Sequence, residues 1–482
     1  MRPRTATLLA CGALLLGACT LPTPAAVRPQ PVTATGLAAA EQALRTALSA
    51  GSWDDAVARA TDPQRGAPDD ALLRALYAGT TEYYAGRWRE SAAAFERAAT
   101  LADERVTWRL SRGALALASS DRALPYVPGE NEVLLAHQYA LLAYAQAGDR
   151  EGAAVEARRI GALLERQGPA ADPRERATHA VLRYLSGVAF EMAGEREDAA
   201  VAYRNARTLG ADGLLPEPAR ATRAVGSPTG EVVVLIERGF VAHRVSTRMQ
   251  LRVAGDSADD DAARLATRLG AALGDGALWS DDVPAVLALD DDAPRRRAHG
   301  GSLLALAWPA LRRARDVAPL AGLVSPTDAV VRIVSAWRGL GAESVGLSRT
   351  PVLLRADLSD AVAADFRRDR SWLVTRLVAR AAVRQAIVAQ ARRRARPLGD
   401  LVASVGTLVE QADTRSWHLL PARLEVVRLR LPAGAQPLAV DVGGHTRQLG
   451  VVQVVAGGLT LFPVRLWRDD APAAAHVADA GI

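Results

Sequence analysis

Two thiols, seven imidazoles and a large set of carboxylates are the side chains of this chain that can do chemistry. The thiols, Cys11 and Cys19, both lie near the N-terminus. The body therefore holds no disulfide, no thiolate metal site and no cysteine nucleophile. All 59 basic residues are arginine. Without lysine there is no Walker A phosphate loop, Schiff base or Ser-Lys dyad; a GC-rich codon bias accounts for the arginine. The histidines are scattered and form no His-Glu-x-x-His pair. Ser302 follows Gly300 but precedes Leu304, so it sits in no nucleophile elbow. The acid pairs Asp281-Asp282 and Asp290-Asp291 are sequence neighbours, which points their side chains apart. In the stretch from Asp256 to Asp261, Ala258 and Thr267 stand where a calcium loop needs acidic ligands, so it reads as a solvated loop. An acid/base pair assembled from distant residues stays open.

Around Cys19 the pattern is specific. Arg2 and Arg4 open the chain, an apolar run extends from Leu8 to Leu16, and Gly17-Ala18 precede the cysteine. A basic start, a short apolar stretch and small residues are the plan of a secretory signal. The run falls short of the about 20 residues that span a bilayer. Leu16-Gly17-Ala18-Cys19 resembles the bacterial lipobox. That resemblance implies cleavage before Cys19, diacylation of its thiol (palmitate among the acyl groups) and membrane anchoring through the lipid. The alternative is an ordinary signal peptide with a chance cysteine. Residues 1–18 are then signal and 19–36 tether, where Pro22, Pro24, Pro29 and Pro31 and the lack of acids favour an extended, semi-rigid spacer. By similarity to lipoprotein sorting in Gram-negative cells, Thr20 after the cysteine implies the outer membrane.

The 482 residues, 49% hydrophobic, suffice for two or three domains with cores of their own. The formal charge of +6 falls to +4 once Arg2 and Arg4 leave with the signal, a mild excess that gives no reason to invoke nucleic acid.

The elements that follow begin with a repeat. Gly51, Gly86, Gly148 and Gly194 each stand before a short word of charged or aromatic and small residues, at spacings of 35, 62 and 46. Gly79 lies seven residues before Gly86, and Trp88, Ser91, Phe95 and Ala98 follow; Gly187 lies seven before Gly194, and Ala199, Tyr203 and Ala206 follow. This is the small/aromatic pattern of the tetratricopeptide repeat, whose length is about 34 residues. Small positions on the first helix of a pair let the second approach, a glycine ends the first helix, and the aromatic fills the gap between neighbouring units. The longer spacings imply insertions or a degenerate extra pair, with an interruption near Tyr126-Val127-Pro128-Gly129. The rival reading is an alanine-rich helical bundle; either way residues 37–223 are helical.

From Gly226 the pattern changes. Glu231–Glu237 and Phe240–Val253 read as a β-hairpin opening a mixed α/β region, 224–345. Ala285–Leu289, Leu303–Trp308 and Val330–Trp337 read as further strands. A helix is expected from about Ser359 to Arg394 within the helical segment 346–416, its end crowded by Arg392, Arg393, Arg394 and Arg396. Leu424–Leu431, a turn at Pro432–Gly434, and Leu438–Val442 read as strand, turn and strand. Val451–Val455, Gly457-Gly458 and Leu459–Leu466 read as a second hairpin. Residues 417–470 thus form an antiparallel β module, similar to the last strands of PEGA-type sandwich modules, and 471–482 a disordered tail. The fold class is α+β: an N-terminal α-solenoid of tetratricopeptide-like helix pairs, a mixed α/β region, and a small antiparallel β-sandwich-like module.

The word Asp413-Thr414-Arg415-Ser416-Trp417, followed by Leu420-Pro421, is the most distinctive of this half. Asp413, Arg415, Trp417 and Pro421 read either as a structural corner, with the ion pair across it and the ring plugging the core, or as a docking site. With the lipobox and repeats, this word resembles a family of large tetratricopeptide-containing bacterial outer-membrane lipoproteins. The resemblance implies association with lipoproteins similar to activators of peptidoglycan synthases. The expectation is a non-enzymatic, periplasm-facing scaffold that binds envelope proteins in cell-wall synthesis or envelope assembly, without cofactor or metal. The alternatives are a periplasmic hydrolase acting on glycan, or a ligand-binding lipoprotein with its site in the α/β half.

Overall fold

The structure, a computed structural model, describes residues 35–62, 70–111, 125–170, 172–209, 228–253, 273, 277–283, 286–288, 302–313, 353–394, 412–442 and 445–467. Cys19, the tether up to residue 34, the acidic stretch at 256–261, the run Val330–Trp337 and the tail 471–482 lie outside them.

Among the described residues eight helices form four antiparallel pairs: α1 (Ala39–Ser49) with α2 (Trp53–Thr61), α3 (Ala71–Tyr84) with α4 (Trp88–Ser111), α5 (Glu130–Gln146) with α6 (Arg150–Gln167), and α7 (Pro173–Ala193) with α8 (Arg196–Thr208). Each turn is made by one of the four glycines, at φ +72, +76, +80 and +86° for Gly51, Gly86, Gly148 and Gly194. The N–H after each glycine donates to the carbonyl five residues back: Ser52 to Ala47, Arg87 to Glu82 and Asp149 to Tyr144 at 2.9 Å, Glu195 to Phe190 at 2.8 Å. All four are Schellman turns, which satisfy the last carbonyls of the first helix and demand a left-handed residue. The wide spacing of 62 includes α4, 24 residues long, and the described residues contain no fifth pair.

The described residues of the β half form three sheets. A four-stranded sheet has the order β5-β6-β1-β9, built from β1 (Thr229–Arg238), β5 (Leu354–Asp357), β6 (Arg423–Pro432) and β9 (Leu459–Leu466). A second, β3-β2-β4, uses β2 (His243–Val253), β3 (Val286–Ala288) and β4 (Ser302–Arg312); β7 (Gly434–Val442) and β8 (His445–Val454) pair alone. The fold is therefore α+β, with runs of helices followed by small sheets.

Three expected pairings are corrected. β1 and β2 are no hairpin: β1 lies between β6, antiparallel, and β9, parallel, while β2 pairs with β3 and β4. β6 and β7 join different sheets, and β9 pairs with β1 rather than β8. The reason is burial. Val233 and Leu235 of β1 enter the core shared with the helices, while Val232, Val234 and Ile236 enter a second core under the β7–β8 ribbon with Leu438, Leu449 and Val452. A strand buried on both faces belongs in the middle of a sheet. Within residues 417–470 only β7 and β8 pair with each other; β6 and β9 are joined through β1, antiparallel to the first and parallel to the second.

α9 (Leu358–Arg394) follows β5 directly and packs on α5 and α7 as well as on β4. One apolar core runs from Leu44 on α1 through Tyr139 and Leu185 to Trp417 and Trp467. Residues 35 and 36 belong to this body rather than to the tether. Thr35 O accepts from His243 Nε2 at 3.0 Å, and Gly36 (φ +83°) lies where a Cβ would meet Val245 at 2.6 Å. Burial, then Arg45, push His243 down to about 3, so its ring is neutral and Nε2 donates.

Candidate functional site

The Asp413–Pro421 word runs along the first helices of the pairs, and every part of it is engaged. Arg415 donates to Asp413 through its backbone N at 3.0 Å, Nε at 2.9 Å and Nη2 at 2.8 Å, and through Nη1 to Asp70 at the start of α3. Burial would raise Asp413; the bonds and charge of Arg415 outweigh it and hold the carboxyl below its usual range. Ser416 O accepts from Tyr77 OH at 2.8 Å. Trp417 Nε1 donates to Thr80 Oγ1 at 2.8 Å, and its ring lies 5.8 Å from Phe95 and 5.9 Å from Tyr139. His418 takes Arg45 of α1 on Nδ1 and on its carbonyl. Leu420 O accepts from Val241 N, and Pro421, buried, leads the chain into β6.

Trp417 is 1% exposed. Extracting a fully buried indole costs about 3–5 kcal/mol, before the hydrogen bonds are counted, and that is a large share of a domain's about 5–15 kcal/mol. The word is a structural corner, as permanent as the core it plugs.

Two further buried clusters, absent from any sequence motif, line the same face. Asp365 of α9 accepts from Asn131 N at 3.1 Å near the start of α5 and from Arg368. Asn131 Nδ2 and Arg368 Nη1 each reach Glu175 of α7 at 2.7 Å. Gly129 is required there, since a Cβ would collide with the Asp365 carboxyl. Burial is the main reason Asp365 is raised to about 7, with Arg368 opposing. Lower on α5, Tyr139 OH donates to Glu237, whose pKa burial also raises, against the pull of Arg465. Arg465 lies over Trp467 at 4.4 Å and Tyr84 at 5.2 Å. Only the i, i+3 spacing of Asp365 and Arg368 is visible locally; the other partners are brought together by topology.

The opposite side of the pairs differs. Between α4 and α6, above α5, runs a groove of about 890 Å³ lined by Ala99, Thr100, Asp103, Val133, His137, Arg159, Leu163 and Arg166, among others. It meets a second hollow of about 490 Å³ that ends at Arg89, Gly148 and Asp149; Glu96 borders both. In its floor, His137 Nδ1 is 2.7 Å from Glu156 Oε2, and Glu156 Oε1 accepts from Arg159 Nη1. A carboxylate at Nδ1 holds a proton on that nitrogen. The His137 side chain is 11% exposed and Nε2 has no partner among the described residues.

The repeat residues sit where their chemistry suits them. A Cβ on Gly79 would meet the Phe95 ring at 2.8 Å and one on Gly187 the Tyr203 ring at 2.6 Å. Ala98, Ala199 and Ala206 are buried, and Trp88 packs edge-on against Tyr83 at 5.3 Å. Among the described residues no three His, Cys, Asp or Glu side chains are grouped to hold a metal ion, and no helix is long and apolar enough to cross a membrane. No protein-family model matches this chain, and no curated protein matches it.

Proposed function

We infer that this chain is a lipid-anchored adaptor of the bacterial envelope, held by an acylated Cys19 at the outer membrane, facing the periplasm and binding a protein partner rather than catalysing a reaction. The observation that carries the reading is the contrast between two faces of the helix pairs. The first-helix face is covered by the chain's own C-terminal half, while the groove between α4 and α6 is open and holds an imidazole nitrogen without a partner among the described residues. Helical repeats without a catalytic constellation favour recognition as their role. Fifteen residues lie between Cys19 and Thr35, and the sixteen steps at about 3.1 Å each in a proline-rich spacer reach about 50 Å. That length lets a folded body stand clear of a membrane surface. Envelope lipoproteins similar to activators of peptidoglycan synthases are the partner class the family resemblance favours.

Two measurements test this. Palmitate labelling and membrane fractionation of wild type and Cys19→Ser should show a labelled, membrane-bound chain that becomes unlabelled and soluble. A photo-crosslinking residue at Ala99, in the groove, should join the chain to one envelope protein in cells. Retention of the Cys19→Ser chain on membranes after salt extraction removes the anchor. Absence of any crosslinked envelope protein from groove positions and from Val201 on α8 alike removes the adaptor.

A further inference from the structure

We propose that α9 is a proton-controlled latch on the starts of α5 and α7, closed while Asp365 and Glu175 hold one proton between them and loosened when it leaves. The latch governs how far the chain covers its own first-helix face.

The geometry of the joint carries the argument. Asp365 on α9 and Glu175 on α7 are both buried, and both bond one amide. Asn131 Nδ2 donates to Glu175 Oε1 at 2.7 Å and to Asp365 Oδ1 at 3.1 Å. One guanidinium serves the pair: Arg368 reaches Glu175 through Nη1 at 2.7 Å and Asp365 through Nη2, while its Nε lies 3.2 Å from Glu130. Were both carboxylates ionised, a net negative charge would be left out of water. Like charges at a shared site raise the pKa of one member, and a proton there removes the excess. Among the described residues the surrounding groups bring no second cation to the pair. From α5 comes Glu132, which accepts from Tyr126 OH at 2.6 Å. From α7 come Asp172, taken by Arg367 at 3.0 Å, and His179, whose Nε2 lies 3.2 Å from Asn131 Oδ1 and whose pKa burial lowers. Arg183, beyond His179, lies 4.0 Å from Glu165. Arg244 of β2 lies 4.0 Å from Asp369 and also faces Tyr126, Glu132 and Asp413.

The proton decides docking because α9 is fastened at this joint. Asp365 accepts the Asn131 backbone N–H at 3.1 Å, a donor that α5 leaves open because its cap residue, Gly129, has no side chain. Asn131 Nδ2 also donates to Ala361 O of α9 at 3.1 Å. Loosening α9 therefore uncovers Asn131, Glu175 and the first turns of α5 and α7. Burial is the largest influence on Asp365 and outweighs Arg368 and the Asn131 N–H, which leaves the carboxyl at about 7. Once α9 lifts, water reaches the group and its pKa returns to about 3.9. The docked value is the higher one, so docking is fully favoured below about pH 4 and weakens as pH rises toward 7.

Hydrogen exchange of the full chain in detergent, read by mass spectrometry at about pH 6 and about pH 8.5 and corrected for the intrinsic rate, measures the opening of each helix. For α9 between Leu358 and Ala381, and for the first turn of α5, the opening constant should rise about tenfold over that interval. At the higher pH, α9 should open at least about tenfold more readily than α3, because the latch moves without global unfolding. Asp365→Asn cannot ionise, so its α9 should open equally at both pH values. Glu175→Gln leaves Arg368 to Asp365 alone, and its rise should fall below about threefold; it decides the matter where Asp365→Asn fails to fold. A wild-type rise below about twofold overturns the latch. So does an undiminished rise in either variant, or equal opening of α9 and α3 at the higher pH.

Discussion

The two faces of the helix pairs are built from the same repeat and treated in opposite ways. On the first-helix face Thr80, Glu132 and Tyr139 hydrogen-bond to residues of the C-terminal half, and aromatic rings close the gaps between them. On the α4–α6 side the same helix pairs show solvent a groove lined by small, apolar and charged residues of both signs, with an imidazole nitrogen that has no partner among the described residues. Helix pairs must bury an apolar face, and here that face is satisfied within the chain. On the adaptor reading proposed above, recognition falls to the other side. The separation can be broken by mutation.

The largest effect belongs to the corner. Trp417→Ala should cost about 3–5 kcal/mol, since it empties a site between Phe95 and Tyr139 and removes the donor to Thr80 Oγ1. Leu163→Ala, in the groove, should cost about 1 kcal/mol. Urea denaturation of both variants reads the difference. Similar losses would mean that the groove is part of the core and that the two faces are not separate.

Next comes the buried joint at Asp365. Its folded-state pKa of about 7 lies above the unfolded value of about 3.9, so the folded chain holds this proton more tightly. The contribution is fully favourable below about pH 4, declines as pH rises, and is lost above about pH 7. The span corresponds to about 4 kcal/mol at most. Asp365→Asn keeps an acceptor for the Asn131 N–H and cannot ionise. Its stability should be flatter between pH 4 and pH 8, and relative to wild type it should gain as pH rises. A variant with an unchanged pH slope would show that Arg368 already keeps the carboxylate ionised.

Gly79→Ala follows, at about 1–3 kcal/mol from overpacking, because Phe95 is itself enclosed by Tyr139 and Trp417 and cannot retreat. Gly148→Ala and Gly194→Ala should cost about 1 kcal/mol each, the conformational part alone, since nothing lies within 4 Å of either added Cβ. Thermal denaturation separates the two classes of glycine. Equal costs would mean that the close approach of α3 and α4 is not what Gly79 secures.

These glycines also mark what the sequence reveals. Helix pairs are local, so a turn glycine, a small residue seven before it and an aromatic nine after it are written within a few turns of chain. The corner was legible for a related reason: Asp413 and Arg415 pair across two residues, and a tryptophan beside them has to be buried. Strand pairing is not local. The turns at Gly239 and Gly457 exist, yet β1 finds its partners about 190 and 230 residues away in β6 and β9. One signal was present. Val232 to Ile236 is an unbroken apolar run, which suits a doubly buried central strand better than a hairpin arm with one wet face. The Asp365 cluster left no such trace, because Asn131, Glu175 and Asp365 meet only after three helices have packed.

The smallest expected effect makes the sharpest test of the contrast. Arg166 is exposed and has no hydrogen bond or ion pair among the described residues. Arg166→Glu should therefore change the folding free energy by less than about 0.5 kcal/mol. The same substitution reverses a charge that lines the groove, so crosslinking from Ala99 to the proposed envelope partner should fall at least about fivefold, on the order of 1 kcal/mol. Trp417→Phe is the matched control on the other face: it should lower the denaturation midpoint while, in the fraction that remains folded, crosslinking stays at the wild-type level. A surface charge that alters recognition without altering stability, set against a core ring that does the reverse, is what two independent faces require. If Arg166→Glu lowers both together, the groove and the core are coupled, and the helix pairs act as one cooperative surface.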